Sequence, residues 1–190
     1  MLTTRTLMGA GAALFGLMGI RYYAYPLPDS QVRFARLEPE AFMSRDPLAD
    51  AWGLIEVDSE TGQPIDPEPR PQPEMLYLDK CWRELQWLFG DEDGPFRRSF
   101  DLVRGEVTMT PCGWIPYFGV LDADEVTAVA QNLAEVTAAD VDHLLEGHAE
   151  LCRGDDVDGE RRYILEFLGR AQQFLASMTK RGSGLIYMIG

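Results

Sequence analysis

Residues 75–90 read MLYLDKCWRELQWLFG and hold two of the four tryptophans in the chain. Asp79 is predicted to cap a helix, because its carboxylate can accept a hydrogen bond from a free amide of the first turn. Gly90 can adopt the left-handed conformation that commonly ends a helix. These two signals predict a helix over residues 80–89, around which we expect the domain to be organised.

The predicted helix has one apolar face. At 100° per residue, five side chains fall together and are expected to bury against the domain. They are Cys81, Trp82, Leu85, Leu88 and Phe89. Arg83, Gln86 and Trp87 lie off this face, so Trp87 is a large aromatic side chain that the pattern predicts to be exposed.

Three short runs of β-forming residues predict a small sheet. They cover residues 19–25, which end at Pro26, residues 75–78, which lead into the predicted helix, and residues 185–189. The last run is apolar on both faces, so it is expected inside the sheet. Helices follow capping signals such as the box at Asp122. The predicted fold is α+β, a single domain with a small mixed sheet packed against several helices.

The first seventeen residues differ in character from the rest. Residues 1–17 carry a single charge, Arg5, and have the outline of a signal peptide, although the apolar run is too short to span a bilayer. Met18 stands directly before the first predicted strand. We therefore expect the domain to cover residues 18–190. Residues 1–17 are then an extension: a mis-set start, a tail, or an export signal if residues 1–20 act as one.

Residues 58–74 interrupt the pattern a second time. They contain five prolines, none of which can donate a hydrogen bond to a sheet or sit inside a helix. This composition predicts an exposed, semi-extended loop.

The net charge and the cysteine content limit which partners and which cellular compartment are expected. The 190 residues carry a formal net charge of −14, and such a surface repels phosphate backbones, so nucleic acid is not an expected partner. Between residues 122 and 160 the only basic residue is Arg153, which makes this stretch a candidate face for a basic protein. Acidity that serves solubility alone is the favoured explanation of this charge, and the acidic face is the alternative. Three widely spaced cysteines favour free thiols in a cytoplasmic protein.

The chain contains no recognisable catalytic motif. The dinucleotide-binding, phosphate-loop and nucleophile-elbow patterns are all absent, and no cofactor is predicted. The aromatic, loop-rich residues 108–120 are the best candidate for a pocket wall, with the predicted helix opposite. The candidate binding residues are Trp87, Arg83, Arg104, Trp114 and Tyr117.

His148 and Cys152 form the one pair with metal or nucleophile spacing. They are four residues apart on the apolar face of a predicted helix, close enough for a cysteine–histidine pair or half a zinc site. The sequence completes neither arrangement, and burial as core residues is favoured. Residues 155–160 resemble the start of a calcium loop but lack its first and last ligands. No metal site is predicted.

Four stretches together resemble a known family. They are residues 78–82 at the strand-to-helix unit, residues 18–23, residues 120–126 at a helix start, and residues 184–190. In this order and spacing they are similar to the YfbM-like domains of unknown function, DUF1877. The resemblance covers residues 18–190 and implies an α+β domain, but it assigns no activity. It also implies a histidine in many relatives at the position of Gln86, where this chain departs.

Two functions are compatible with these observations. The leading one is a non-enzymatic, acidic protein-binding domain, with an immunity-like or toxin-neutralising role as its most specific version. The alternative is a small-molecule-binding protein or an enzyme with an aromatic pocket near residues 108–120. The net charge and the missing catalytic set favour the first.

The expected domain start can be tested by truncation. Deleting residues 1–17 should leave folding and solubility unchanged, because these residues lie outside the predicted domain. Deletion through Tyr25 should unfold the protein, because it removes a predicted strand with three tyrosines. Circular dichroism and thermal melting of the two truncations distinguish these outcomes. Unfolding by the shorter deletion would contradict the boundary at Met18.

Overall fold

A computed structural model describes residues 19–53, 73–90, 95–148, 151–152 and 156–190. The expectations for residues 1–17 and for most of the proline-rich loop therefore lie outside the described residues. Within these ranges, strands and helices form one α+β domain, as the sequence predicts.

The centre of the domain is a four-stranded sheet in the order β2-β1-β6-β5. The strands are β1 (Tyr22–Leu27), β2 (Leu76–Asp79), β5 (Tyr117–Leu121) and β6 (Gly184–Ile189). The three predicted strands are all present, and β6 lies between β1 and β5, as its apolar character predicts. Every neighbouring pair is antiparallel, so the expectation of a mixed sheet was wrong.

Strand β1 continues through Pro26, where the sequence predicted its end. It pairs with β2 only as far as Ala24, which lies opposite Leu76, whereas it pairs with β6 as far as Leu27. From Pro26 onward the strand therefore has a neighbour on one side only. Proline is tolerated at such a position, because an amide on the open side has no ladder to join.

Six α-helices and a small hairpin surround the sheet in the described part of the chain. The helices are α1 (Val32–Ala35), α2 (Pro47–Trp52), α3 (Trp82–Phe89), α4 (Ala123–Leu133), α5 (Ala138–Gly147) and α6 (Val157–Arg181). The hairpin consists of β3 (Thr108–Thr110) and β4 (Gly113–Ile115). Short 3₁₀ turns cover Asp29–Gln31, Pro39–Phe42 and Arg98–Leu102. None of the described helices is long and apolar enough to cross a bilayer.

The two faces of the sheet bury different cores. Alternate residues of β1 point to opposite faces, so Tyr22 joins the larger core against α3 to α6, whereas Tyr23 joins a smaller core against α1 and α2. The Tyr22 ring stacks on that of Tyr187 in β6, with centroids 5.3 Å apart. The Tyr22 hydroxyl donates to the carbonyl of Leu102, so this buried polar group is satisfied.

Helix α3 has the predicted buried face but different ends. All five residues of that face are buried. The helix begins at Trp82, with Cys81 as its N-cap, so the prediction that Asp79 caps it was wrong. Asp79 is the last residue of β2. Gly90 has φ −78° and ψ 150°, an extended conformation and not the predicted left-handed one.

Residues 108–120 are more regular than the sequence indicates. The irregular pocket wall expected there is the β3–β4 hairpin followed by edge strand β5. Prolines 111 and 116 fall in the hairpin turn and between β4 and β5, so neither interrupts a ladder.

The two tryptophans of α3 give a test of its orientation. Trp82→Ala should lower the free energy of unfolding by about 3–5 kcal/mol, as large core truncations do. Trp87→Ala should cost much less, because 40% of this side chain is exposed against 3% for Trp82. Urea unfolding of both variants measures the difference. Equal losses would mean that Trp87 contributes to the core.

Candidate functional site

The Asp79 carboxylate gathers donors from three elements. The Tyr77 hydroxyl donates to Oδ1 at 2.9 Å, the Arg21 Nε donates to the same oxygen at 3.1 Å, and the Tyr163 hydroxyl donates to Oδ2 at 3.0 Å. These donors come from β2, the start of β1, and α6. The carboxylate thus ties the end of β2 to the neighbouring strand and to the long helix. We call these four residues the Asp79 cluster.

The backbone at Asp79 is strained. Its φ of 48° is the one positive value outside glycine among the described residues. Aspartate tolerates this conformation better than most residues, but it costs free energy and persists only when surrounding contacts hold it. The three donors supply such contacts, and the turn directs the chain from β2 into α3.

The cluster also sets the ionisation of its groups. Burial alone raises the pKa of the Asp79 carboxyl, but hydrogen bonds from Tyr77 and Tyr163 together with the Arg21 guanidinium outweigh burial and lower it below its usual range. Burial raises the pKa of the Tyr77 hydroxyl, and its bond to Asp79 does the same. At neutral pH the carboxylate is therefore charged and the hydroxyl donates.

An exposed tryptophan borders the cluster. The guanidinium carbon of Arg21 lies 5.9 Å from the ring centroid of Trp52, which ends α2 and is 55% exposed. Helix α2 has a defined start and end, because Asp46 accepts from the amide of Ala49 and Gly53 ends the helix in the left-handed conformation.

A groove runs along the outer edge of β2. It has a volume of about 440 Å³. One side is formed by Leu76 and Tyr77 of β2 with residues 73–75 before the strand, and α2 contributes Asp50 and Ala51. Helix α6 contributes Arg170, Gln173, Phe174 and Ser177, which lie three or four residues apart and therefore share one face of the helix. Tyr77 lines this groove and also belongs to the Asp79 cluster, so the two features adjoin.

Among the described residues, β2 is an edge strand of the sheet beside this groove. Among the described strands, β2 pairs with β1 alone. An edge strand presents backbone N–H and C=O groups that can pair with another chain. The groove therefore combines a strand edge with a helix face alongside it, an arrangement able to take up an extended peptide.

Two of the three charged groove residues have an oppositely charged partner. Glu74 forms a bidentate pair with Arg181, at 2.6 and 2.7 Å, and Arg170 pairs with Glu166. Asp50 accepts a hydrogen bond from the Tyr25 hydroxyl at 2.9 Å and has no cation beside it in the described ranges. The groove therefore has one uncompensated charge, and it is negative.

The five predicted binding residues fall into separate places. Arg104 and Tyr117 come close together, because the Arg104 carbonyl accepts from the Tyr187 hydroxyl at 2.9 Å and the Tyr117 ring lies 6.2 Å from that of Tyr187. The Trp114 indole lies against Gly19. Arg83 is exposed on α3.

Trp87, the fifth, packs against His148 with ring centroids 4.8 Å apart. Within the described residues no recorded contact joins Trp87 or Arg83 to the other three. That these five residues form one binding site stays a prediction.

His148 and Cys152 do not share a helix face. Helix α5 ends at Gly147, His148 follows as its C-cap with φ −130°, and Cys152 lies beyond the helix. The spacing argument for a cysteine–histidine pair on one helix was therefore wrong. Across the described parts of the chain, no group of three or more histidine, cysteine or acidic residues could hold a metal ion.

Three arginines pair with carboxylates of the acidic stretch between residues 122 and 160. Arg36 pairs with both Asp122 and Glu125, at 3.1 and 2.7 Å. Arg97 pairs with Asp140 at 2.8 Å, and Arg161 pairs with Asp142. These partners lie outside the stretch, so part of its negative charge is compensated in the folded protein.

Comparisons with known proteins leave the family open. No protein-family profile matches the chain, and no curated protein sequence matches it. A solved structure, YfbM from Escherichia coli, a protein of unknown function, is similar with a TM-score of 0.49 and 13% identity. The match covers 90% of this chain and 99% of that one. This is a likeness of fold alone, so membership of DUF1877 stays a prediction.

The sequence did not reveal the Asp79 cluster, because Arg21 and Tyr163 lie 58 and 84 positions away from Asp79. A local pattern shows only an aspartate before a helix, which is the usual sign of a cap. The α6 side of the groove could be recognised in the sequence, because its four residues are spaced as one face of a helix. The strand edge could be recognised only once the strand order was known.

The Asp79 cluster predicts a pH-dependent contribution to stability. A carboxyl whose pKa is lower in the folded state stabilises above its unfolded pKa, and this stability is lost as pH falls through the folded pKa. Asp79→Asn should therefore cost about 1–3 kcal/mol at pH 7, and this cost should shrink as pH falls below about 4. Urea unfolding at several pH values measures the cost, with Glu146→Gln, at an exposed carboxylate, as control. A cost that is constant with pH would contradict the charged role of Asp79.

Proposed function

We propose that this protein is a binding domain for another protein, which docks in the groove between β2 and α6. The observation that carries the proposal is the strand edge of β2 facing a groove lined by one face of a helix. Strand addition at such an edge supplies backbone hydrogen bonds, and the neighbouring helix supplies side-chain contacts that discriminate between partners.

The charge of the chain supports a basic partner. At a formal net charge of −14, long-range attraction speeds the encounter with a positively charged protein and weakens as salt is added. A basic toxin that this domain neutralises is the most specific version of this function. The supporting features are the charge and the groove, and neither depends on a catalytic residue.

The proposal is tested by comparing variants in one capture experiment. Immobilised wild-type protein is exposed to lysate of the native cell, and bound proteins are identified by mass spectrometry. Gln173→Trp should block the groove, because Gln173 is an exposed groove residue on α6 and a tryptophan there adds bulk without disturbing the core. Gln131→Trp, at an exposed position of α4 that does not line the groove, is the matched control.

The expected result is a basic protein that wild type and Gln131→Trp capture and Gln173→Trp does not. Its recovery should fall as salt rises from low to about 0.5 M, because screening shortens the reach of the charges. Captured proteins that are shared equally by all three baits, or that are acidic, would overturn the proposal.

A further inference from the structure

The groove contains a place for one basic side chain. Glu74 forms an ion pair with Arg181, and Arg170 forms one with Glu166. Their charges are therefore already compensated when a peptide binds. Asp50 lies among the same lining residues with a carboxylate that only a neutral hydroxyl contacts in the described structure. The charge that a ligand would feel most strongly in this groove is therefore that of Asp50.

Neighbouring elements hold Asp50 in place. It lies in helix α2, whose start is fixed by the Asp46 cap, and its Oδ2 accepts from Tyr25, a residue of the central strand β1. A carboxylate that is already positioned loses little conformational entropy when it pairs with a cation. The Tyr25 bond occupies one oxygen and leaves the other able to accept from a guanidinium or an ammonium group.

We infer that Asp50 recognises an arginine or lysine side chain of an extended segment that adds to the edge of β2. The segment is about five residues long, because Leu76 and Tyr77 of β2 and the three residues before the strand line the groove together. In an extended segment alternate side chains face one way, so the basic residue is flanked by residues that face the opposite way. This inference rests on the proposed function and specifies the ligand of the same groove.

The probe is a synthetic pentapeptide, acetyl-Thr-Val-Arg-Val-Thr-amide, titrated into the ¹⁵N-labelled full chain. Two matched peptides carry norleucine or glutamate in place of the central arginine. Amide shifts of β2 residues should move with the arginine peptide, at a dissociation constant at least about fivefold lower than for either matched peptide, the usual size of one favourable ion pair.

Asp50→Asn is the deciding variant, because asparagine keeps an acceptor for Tyr25 and removes only the charge. The preference for arginine should fall to within about twofold in this variant. It should persist in Asp124→Asn, which removes an equal charge at an exposed position of α4. Gln173→Trp should abolish the shifts for all three peptides.

Three results would overturn the inference. They are equal binding of the three peptides, a preference that survives in Asp50→Asn, and no saturable shift with the arginine peptide. The proposed function is judged separately, by whether Gln173→Trp loses a basic partner in the capture experiment. If Gln173→Trp loses a partner whose binding does not depend on Asp50, the proposed binding function stands and recognition by Asp50 is excluded.

Discussion

The pairing of β1 with β6 is the interaction on which the remaining structure depends. Six consecutive pairs join them, from Tyr22 opposite Ile189 to Leu27 opposite Gly184. These two strands form the middle of the sheet, with β2 and β5 added outside them. Alternate side chains of the central pair enter both cores, so each helix layer packs on a surface that this pairing creates.

The Asp79 cluster and the groove follow from that arrangement. Because β1 is central, its first residues lie beside the end of β2, and this places Arg21 next to Asp79. Strand β2 also packs against α6, which contributes Tyr163 to the cluster and a face of side chains to the groove. One edge strand therefore contributes both to stability and to the proposed binding surface.

Local sequence signals predicted the structure correctly where contacts between residues close in the sequence determine it. The apolar face of α3 and the capping box at Asp122 were both predicted from residues within one or two turns. The fold class followed because the sequence contains separate strand signals and helix signals. The end of β1 was predicted wrongly at Pro26, since tolerance of a proline depends on which neighbours a strand has.

The candidate site was harder to predict, because its defining relations are long-range. Asp79 has the sequence signature of a helix cap, yet its carboxylate accepts hydrogen bonds from Arg21 and Tyr163, which are distant in the sequence. The acidic stretch also has long-range partners that the sequence does not show. Arg36 and Arg97 come from distant positions and neutralise carboxylates that the sequence shows without partners. The surface charge of a protein can therefore be inferred from its sequence only when the ion pairs of the tertiary structure are known.

The position of β6 has a consequence for biosynthesis. A ribosome makes this strand after every other described element, yet it belongs in the middle of the sheet between β1 and β5. While β6 is still inside the exit tunnel, the flanks of β1 and β5 that it later covers have no strand beside them. The central sheet can therefore close only after β6 has left the tunnel, and until then the nascent protein exposes unpaired edges of the kind that molecular chaperones protect.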